Sequence, residues 1–278
     1  MSTPSRTSQA VALTRADLDR PCSAEGDPNA QRQLCREMPF TPPEWLRPSI
    51  AARTEFVDAE VMSALESGLR QIVICGAGYD DRALRFRTTG VRFFELDHPS
   101  TQADKARLLH SITGPSRRSG GAADGVIEIS DGLTLAAADF RTDDVGAVLQ
   151  CAGHDGGEPS LFVCEGLLVY LDRTTCEQLL GALAARGPAG SRLVASLATH
   201  ADGIDSAAVA AAANEHRRTG AAEPWRTILP VDDHLMLLQD AGWQVTRTQW
   251  SAATSAEVSY GRRSLFAAAE RLTTAPKR

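Results

Sequence analysis

The chain has 278 residues, 43% of them hydrophobic and 23% charged, with a formal net charge of −6. That length and balance suit one large domain, or one domain with an appendage, and exclude a mostly disordered chain. The acidic balance argues against nucleic acid as a partner, and the longest nearly apolar stretch, residues 161–171, falls far short of the roughly 20 residues of a membrane span.

From the N-terminus, about 45 residues read as irregular and polar, without the apolar core of a secretory signal. Pro21, Pro28, Pro39, Pro42 and Pro43 break any long helix there. We expect residues 1–48 to form an irregular or helical cap on a main domain spanning 49–278. Behind Pro48, apolar Ile50, Phe56, Val57, Val61, Met62 and Leu65 recur near helical spacing and predict an amphipathic helix over 49–69.

Short apolar runs then alternate with helical patterns. The runs are 71–75, 91–96, 133–138, 161–164 and 192–197, and the clearest helix is 174–186, ended by Gly187-Pro188. The alternation predicts an α/β fold with a mainly parallel sheet. Residues 201–230, Ala-rich and then bearing Pro224 and Trp225, read as an insertion that we expect to form a lid over the substrate. A helix over 232–241 stops at Gly242, and strands 243–249 and 263–269 follow, joined through Gly261. With no helix between them, these two form an antiparallel hairpin at one sheet edge and bring the total to seven strands.

Cys22, Cys35, Cys75, Cys151, Cys164 and Cys176 make no CxxC pair and read as reduced thiols of a cytoplasmic protein, with Cys75 and Cys164 buried in strands. Lys105 and Lys277 are the only lysines, a codon signature of a GC-rich bacterial genome. The six histidines show no HxxxH or HExxH spacing, so no metal is expected, and no GxSxG elbow is present.

Ligands of open parallel sheets bind beyond the carboxyl ends of the strands. Those ends carry Gly76-Ala77-Gly78, then Glu95 and Asp97, then Asp139, then Glu165. The glycines permit a tight turn and close backbone approach. Where a dinucleotide fingerprint needs a third small residue, the chain has Asp81 beside Asp80, which would meet a pyrophosphate with carboxylates. A cationic ligand suits that edge better. Asp97, 19 residues after Gly78, can accept from both hydroxyls of a ribose, and Glu95 points to the same face. Asp139 can receive an adenine amino group while the Phe140 backbone N–H meets a ring nitrogen. Arg53 is a candidate clamp for an amino-acid carboxylate, or else a surface charge paired with Glu55 or Asp58.

QIVICGAGYDDRALRF, FFELDHPSTQADKARLL, the strand-end ADF and LFVCEGLLVYLD together resemble the leucine carboxyl methyltransferase family, over roughly residues 45–200, closest to its bacterial, polyketide O-methyltransferase-like branch. ARTEFVD is similar to the family's arginine-bearing helix. The resemblance implies a Rossmann-like class I methyltransferase fold, which the five parallel strands and hairpin also suit. It implies S-adenosyl-L-methionine contacts at Arg53, Gly76, Gly78, Asp97, Asp139, Phe140 and Glu165, with Glu95 as the alternative to Asp97.

The expected activity is O-methylation of a carboxylate or phenolic hydroxyl of a small-molecule natural product, with His200 and Tyr170 as candidates to face the acceptor. A carboxylate needs no base, whereas a hydroxyl does near neutral pH. Two alternatives stand: a protein C-terminal carboxyl methyltransferase, and a member that binds the donor but catalyses a non-methylating reaction. No nucleic-acid or membrane partner is expected, and a homodimer is left open.

Overall fold

A computed structural model describes residues 5–113, 125–130, 132–217, 223–251 and 262–272. Nine helices and eight strands are named among them: α1 (Arg6–Ala16), α2 (Ala30–Leu34), α3 (Arg47–Glu66), β1 (Gln71–Cys75), α4 (Arg82–Arg85), β2 (Arg92–Asp97), α5 (Pro99–Thr113), β3 (Val126–Ser130), β4 (Leu133–Ala137), α6 (Val145–Cys151), β5 (Ser160–Cys164), α7 (Arg173–Arg186), β6 (Arg192–His200), α8 (Ser206–Arg217), α9 (Val231–Asp240), β7 (Trp243–Trp250) and β8 (Arg262–Arg271). No helix among the described residues is long and apolar enough to cross a membrane.

The strands form one sheet in the order β3-β4-β2-β1-β5-β6-β8-β7. Strands β4, β2, β1, β5 and β6 run parallel, while β8 is antiparallel to both β6 and β7. The chain moves outward from β1 through β2 to β4, then returns to β5 on the other side of β1. The strand order therefore reverses at the carboxyl end of β1, where a doubly wound sheet leaves a crevice.

Alternation along β1 divides the core between the two faces. Ile72 and Ile74 pack with Phe56, Val57 and Val61 of α3 and with Leu109 of α5. Val73 and Cys75 face the other way, toward Leu149 of α6, Leu180 and Leu183 of α7 and Leu238 of α9. Burial on both faces explains why these strands read as unbroken apolar runs.

One feature departs from the sequence reading. The sheet has an eighth strand, β3, antiparallel to β4 at the edge. Only Ile129 of its five residues is fully buried, so it carries little apolar signal. The expected antiparallel hairpin stands at the sheet edge, with β8, the later strand, lying inside between β6 and β7. The connecting loop through Gly261 lies outside the described residues. Within residues 1–48, α1 is an 11-residue helix; Ser5 caps it by accepting from the Ser8 N–H (3.2 Å). It buries only Ala12, Thr14 and Arg15, and so offers no apolar stripe to read.

Candidate functional site

Past Cys75 the backbone turns through Gly76 (φ 67°) and Gly78 (φ 51°), left-handed positions that favour glycine. The Gly76 and Ala77 N–H groups donate to Leu96 O at the end of β2 (2.8 and 3.1 Å). The turn is tightly enclosed: a Cβ on Gly78 would lie 2.7 Å from Ser8 Cβ of α1, and one on Gly76 would lie 3.0 Å from Leu167. Above it opens a cavity of about 400 Å³, reached by Arg53, Gly76, Gly78, Asp97, Asp139, Phe140, Glu165 and Tyr170. Eight of the ten residues singled out in the sequence thus converge on one space.

Asp97 ends β2 and holds the turn in place. Its Oδ2 accepts from the Gly78 N–H (2.6 Å) and its Oδ1 from the His98 N–H (2.7 Å). Burial pushes its carboxyl up, and the two backbone donors offset this only in part. Across the cavity, Asp139 receives Arg141 through both oxygens (3.0 and 2.9 Å), which holds it below the usual carboxylate range.

Glu165, at the end of β5, is the hub of the opposite wall. Arg53 Nε donates to its Oε1 (2.7 Å), Arg82 Nη1 to its Oε2 (2.7 Å), and Arg15 of α1 also donates to Oε1. Burial alone would push the carboxyl up; three guanidinium groups reverse that and hold it well below the ordinary range. Arg53 therefore pairs neither with Glu55 nor with Asp58. Asp58 instead receives Arg20 Nε (2.8 Å) and Arg82 Nε (2.6 Å).

Asp80 borders the cavity and Asp81 does not, and arginines take both: Asp80 receives Arg15 (3.1 Å) and Arg82 (2.6 Å), and Asp81 receives Arg20 (2.6 Å) and Arg85 (2.7 Å). Their charge is neutralised from within, which corrects the expectation that they present bare carboxylates at this turn. Arg15 and Arg82, both outside the set chosen from sequence, complete the site. Arg82 had a signal, since its two preceding acids at a strand-end turn imply a buried cation. Arg15 had none, because only the docking of α1 brings it there.

Two chosen residues lie elsewhere. Glu95 is fully buried, receives Lys105 Nζ and does not reach the cavity. Burial raises its carboxyl to about 7 despite the ammonium. Glu95 shares its strand face with Asp97 but lies two residues further into the sheet, where Lys105 of α5 covers it, so Asp97 is the β2 acid that lines the cavity. His200 also does not line the cavity; its ring nitrogens meet Ala201 O (2.8 Å) and Ser206 Oγ (2.7 Å). The physical reason is strand length: pairing with β8 extends β6 through His200↔Arg262, so the residue sits within the sheet rather than beyond it.

A family model described as leucine carboxyl methyltransferase matches residues 9–184. The chain belongs to the leucine carboxyl methyltransferase family. The matched stretch starts in α1 and ends in α7, so it contains every cavity residue named above, and β6, α8, α9, β7 and β8 lie beyond it. A Frankia alni relative that carries the name S-adenosyl-L-methionine-dependent methyltransferase is 34% identical over 197 residues, 70% of this chain and 62% of the relative. A Streptomyces coelicolor relative with the same name is 33% identical over 199 residues, 71% of this chain and 63% of that one. The chain thus spans under two thirds of the length of these relatives.

Among solved structures, a Thermobifida fusca chain described as a methyltransferase superposes with a TM-score of 0.59 at 15% identity, covering 98% of this chain and 96% of that one. Magnesium protoporphyrin IX methyltransferase from Synechocystis PCC 6803, with bound SAH, superposes at 0.51 and 12% identity over 86% and 93%. The fold is that of the class I methyltransferases.

Proposed function

We propose that this family member transfers a methyl group from S-adenosylmethionine to an oxygen of a small-molecule natural product, a carboxylate or phenolic hydroxyl. The observation that carries the reading is the convergence of Gly76, Gly78, Asp97, Asp139, Phe140, Arg53 and Glu165 on one strand-end cavity. The residues suit the donor. The positive-φ turn brings backbone close to a ligand, Asp97 keeps acceptor capacity for a ribose diol beside its two backbone bonds, and Asp139 with Phe140 offers an adenine edge both an acceptor and a backbone donor. Arg53, whose pair with Glu165 leaves its terminal nitrogens available among the described residues, is placed for a carboxylate.

When bound, that donor supplies a methyl already activated on a sulfonium. What the chain contributes is alignment and exclusion of water, which can supply much of the acceleration of an in-line displacement. Oxygen as the accepting atom is supported by the carboxyl chemistry in the family's name. A small acceptor is supported by the cavity's volume of about 400 Å³, which lies in the range of small-molecule sites. Tyr170, the cavity-lining member of the two acceptor-facing candidates, is placed to orient the accepting group. Free cysteines support a reducing, cytoplasmic setting.

Calorimetric titration with S-adenosylhomocysteine tests the reading, after removal of any carried-over ligand and with NAD as control. Micromolar binding of the first and none of the second is expected, and a methylated product should gain the mass of one methylene. Absence of S-adenosylhomocysteine binding would overturn the proposal.

A further inference from the structure

Four arginines line the cavity: Arg15, Arg53, Arg141 and Arg226. Three are already committed. Arg15 and Arg53 donate to Glu165, and Asp139 holds Arg141 through both oxygens. Arg226 differs: its side chain is exposed at the rim and makes no hydrogen bond or ion pair among the described residues.

Its backbone, by contrast, is firmly held. The Arg226 N–H donates to Val169 O (2.7 Å), beside the cavity-lining Tyr170, and Thr227 Oγ1 donates to Leu171 O (2.6 Å). The Asn214 amide of α8 brackets Trp225, donating to its carbonyl (2.9 Å) and accepting from its N–H (2.7 Å). A free guanidinium on an anchored backbone is prepared for a ligand anion, with little backbone ordering left to lose on binding. Two acids are near. Asp172 feels the Arg226 charge but is engaged capping α7 through the Thr175 N–H (2.9 Å). Glu223 shares the rim without pairing with Arg226. Arg226 also lies outside the 9–184 stretch shared with the family.

Taking methyl transfer as the activity, we propose that Arg226 is the residue that selects the acceptor: it binds a carboxylate of the small molecule, remote from the oxygen that is methylated. Guanidinium and carboxylate match as two planar forks. A carboxylate held that way has its charge neutralised and its in-plane lone pairs engaged, so it is a poor nucleophile. The accepting oxygen is then a separate hydroxyl, and the acceptor is a hydroxy acid. That hydroxyl oxygen forms the new O–C bond as the S–C bond breaks; the bonding pair stays on sulfur, leaving the thioether, and the hydroxyl proton passes to a solvent base, hydroxide or buffer anion.

The test is a comparison of labelled-methyl transfer to hydroxybenzoates, hydroxyphenylacetate and hydroxycinnamate, each beside its ethyl ester and amide. The unaltered protein should favour the acids by about tenfold or more in kcat/KM. Arg226→Gln should erase that preference through KM while kcat holds, and Arg226→Lys should restore part of it. S-adenosylhomocysteine affinity should be the same in all three proteins. No preference for acids, no turnover of any acid, or a preference that survives in Arg226→Gln would overturn the assignment. Failure of the unaltered protein to bind S-adenosylhomocysteine would instead overturn the methyl-transfer reading on which the assignment rests.

Discussion

On one wall of the cavity Glu165 receives Arg15, Arg53 and Arg82, with Arg82 fully buried; on the other, Asp139 receives Arg141, whose side chain is 58% exposed. Both walls use guanidinium and carboxylate, but their energetics are opposed. Once buried, a charge must keep all its partners, since a lone ion away from water costs several kcal/mol. An exposed pair is screened, and either member can exchange its partner for a ligand or water at little cost. The Glu165 wall is therefore a preformed scaffold tying α1, α3, the β1 turn and β5 together, and the Asp139 wall is an adaptable one.

Removing Arg82 should strain this contrast most. Arg82→Met strands Asp58, Asp80 and Glu165 without a shared cation, and should cost about 3–5 kcal/mol in urea unfolding. A loss under 1 kcal/mol would mean that the network relaxes as readily as the exposed wall.

The buried acids also have opposite pH signatures. Glu95 has a folded value near 7 against an ordinary 4.5, so its contribution is fully present below 4.5 and is lost as pH rises toward 7. The loss is on the order of 3 kcal/mol over that window. Glu165 is depressed, so its contribution is present above its ordinary range and is lost as pH falls below it. Urea midpoints measured from pH 4.5 to 7 should decline less in the double variant Glu95→Gln, Lys105→Met than in the unaltered protein.

Asp97→Ala removes the acceptor at the end of β2 and should weaken S-adenosylhomocysteine binding by about 1–3 kcal/mol in calorimetry. Unchanged affinity would remove Asp97 from the donor site. Arg141→Ala should have the smallest effect, within about 1 kcal/mol of unaltered stability, because its pair with Asp139 is exposed. A larger fall in thermal denaturation would show that the two walls are more alike than their exposure implies.

Much of this was legible from residues alone, and for definite reasons. Strands buried on both faces leave unbroken apolar runs, so β1, β2, β4, β5 and β6 were readable, as were their acidic ends. A glycine pair after an apolar run marks a turn because few other residues adopt its backbone. Edge strand β3 was silent because it buries so little, and α1 because polar and ionic contacts hold it more than an apolar stripe does.

The sequence by itself determined the fold class, the family and most of the strand-end site, since periodicity and local turn chemistry are properties of neighbouring residues. Only the tertiary structure decided which acids face the ligand and which face arginines. Asp97 and Glu95 differ by two positions, yet one holds the glycine turn and the other a buried lysine. The same holds for Arg15, 150 residues from Glu165, and for His200, whose place depends on the length of a strand paired from the far end of the chain. Burial and charge pairing are set by contacts between distant segments, and no local pattern records them.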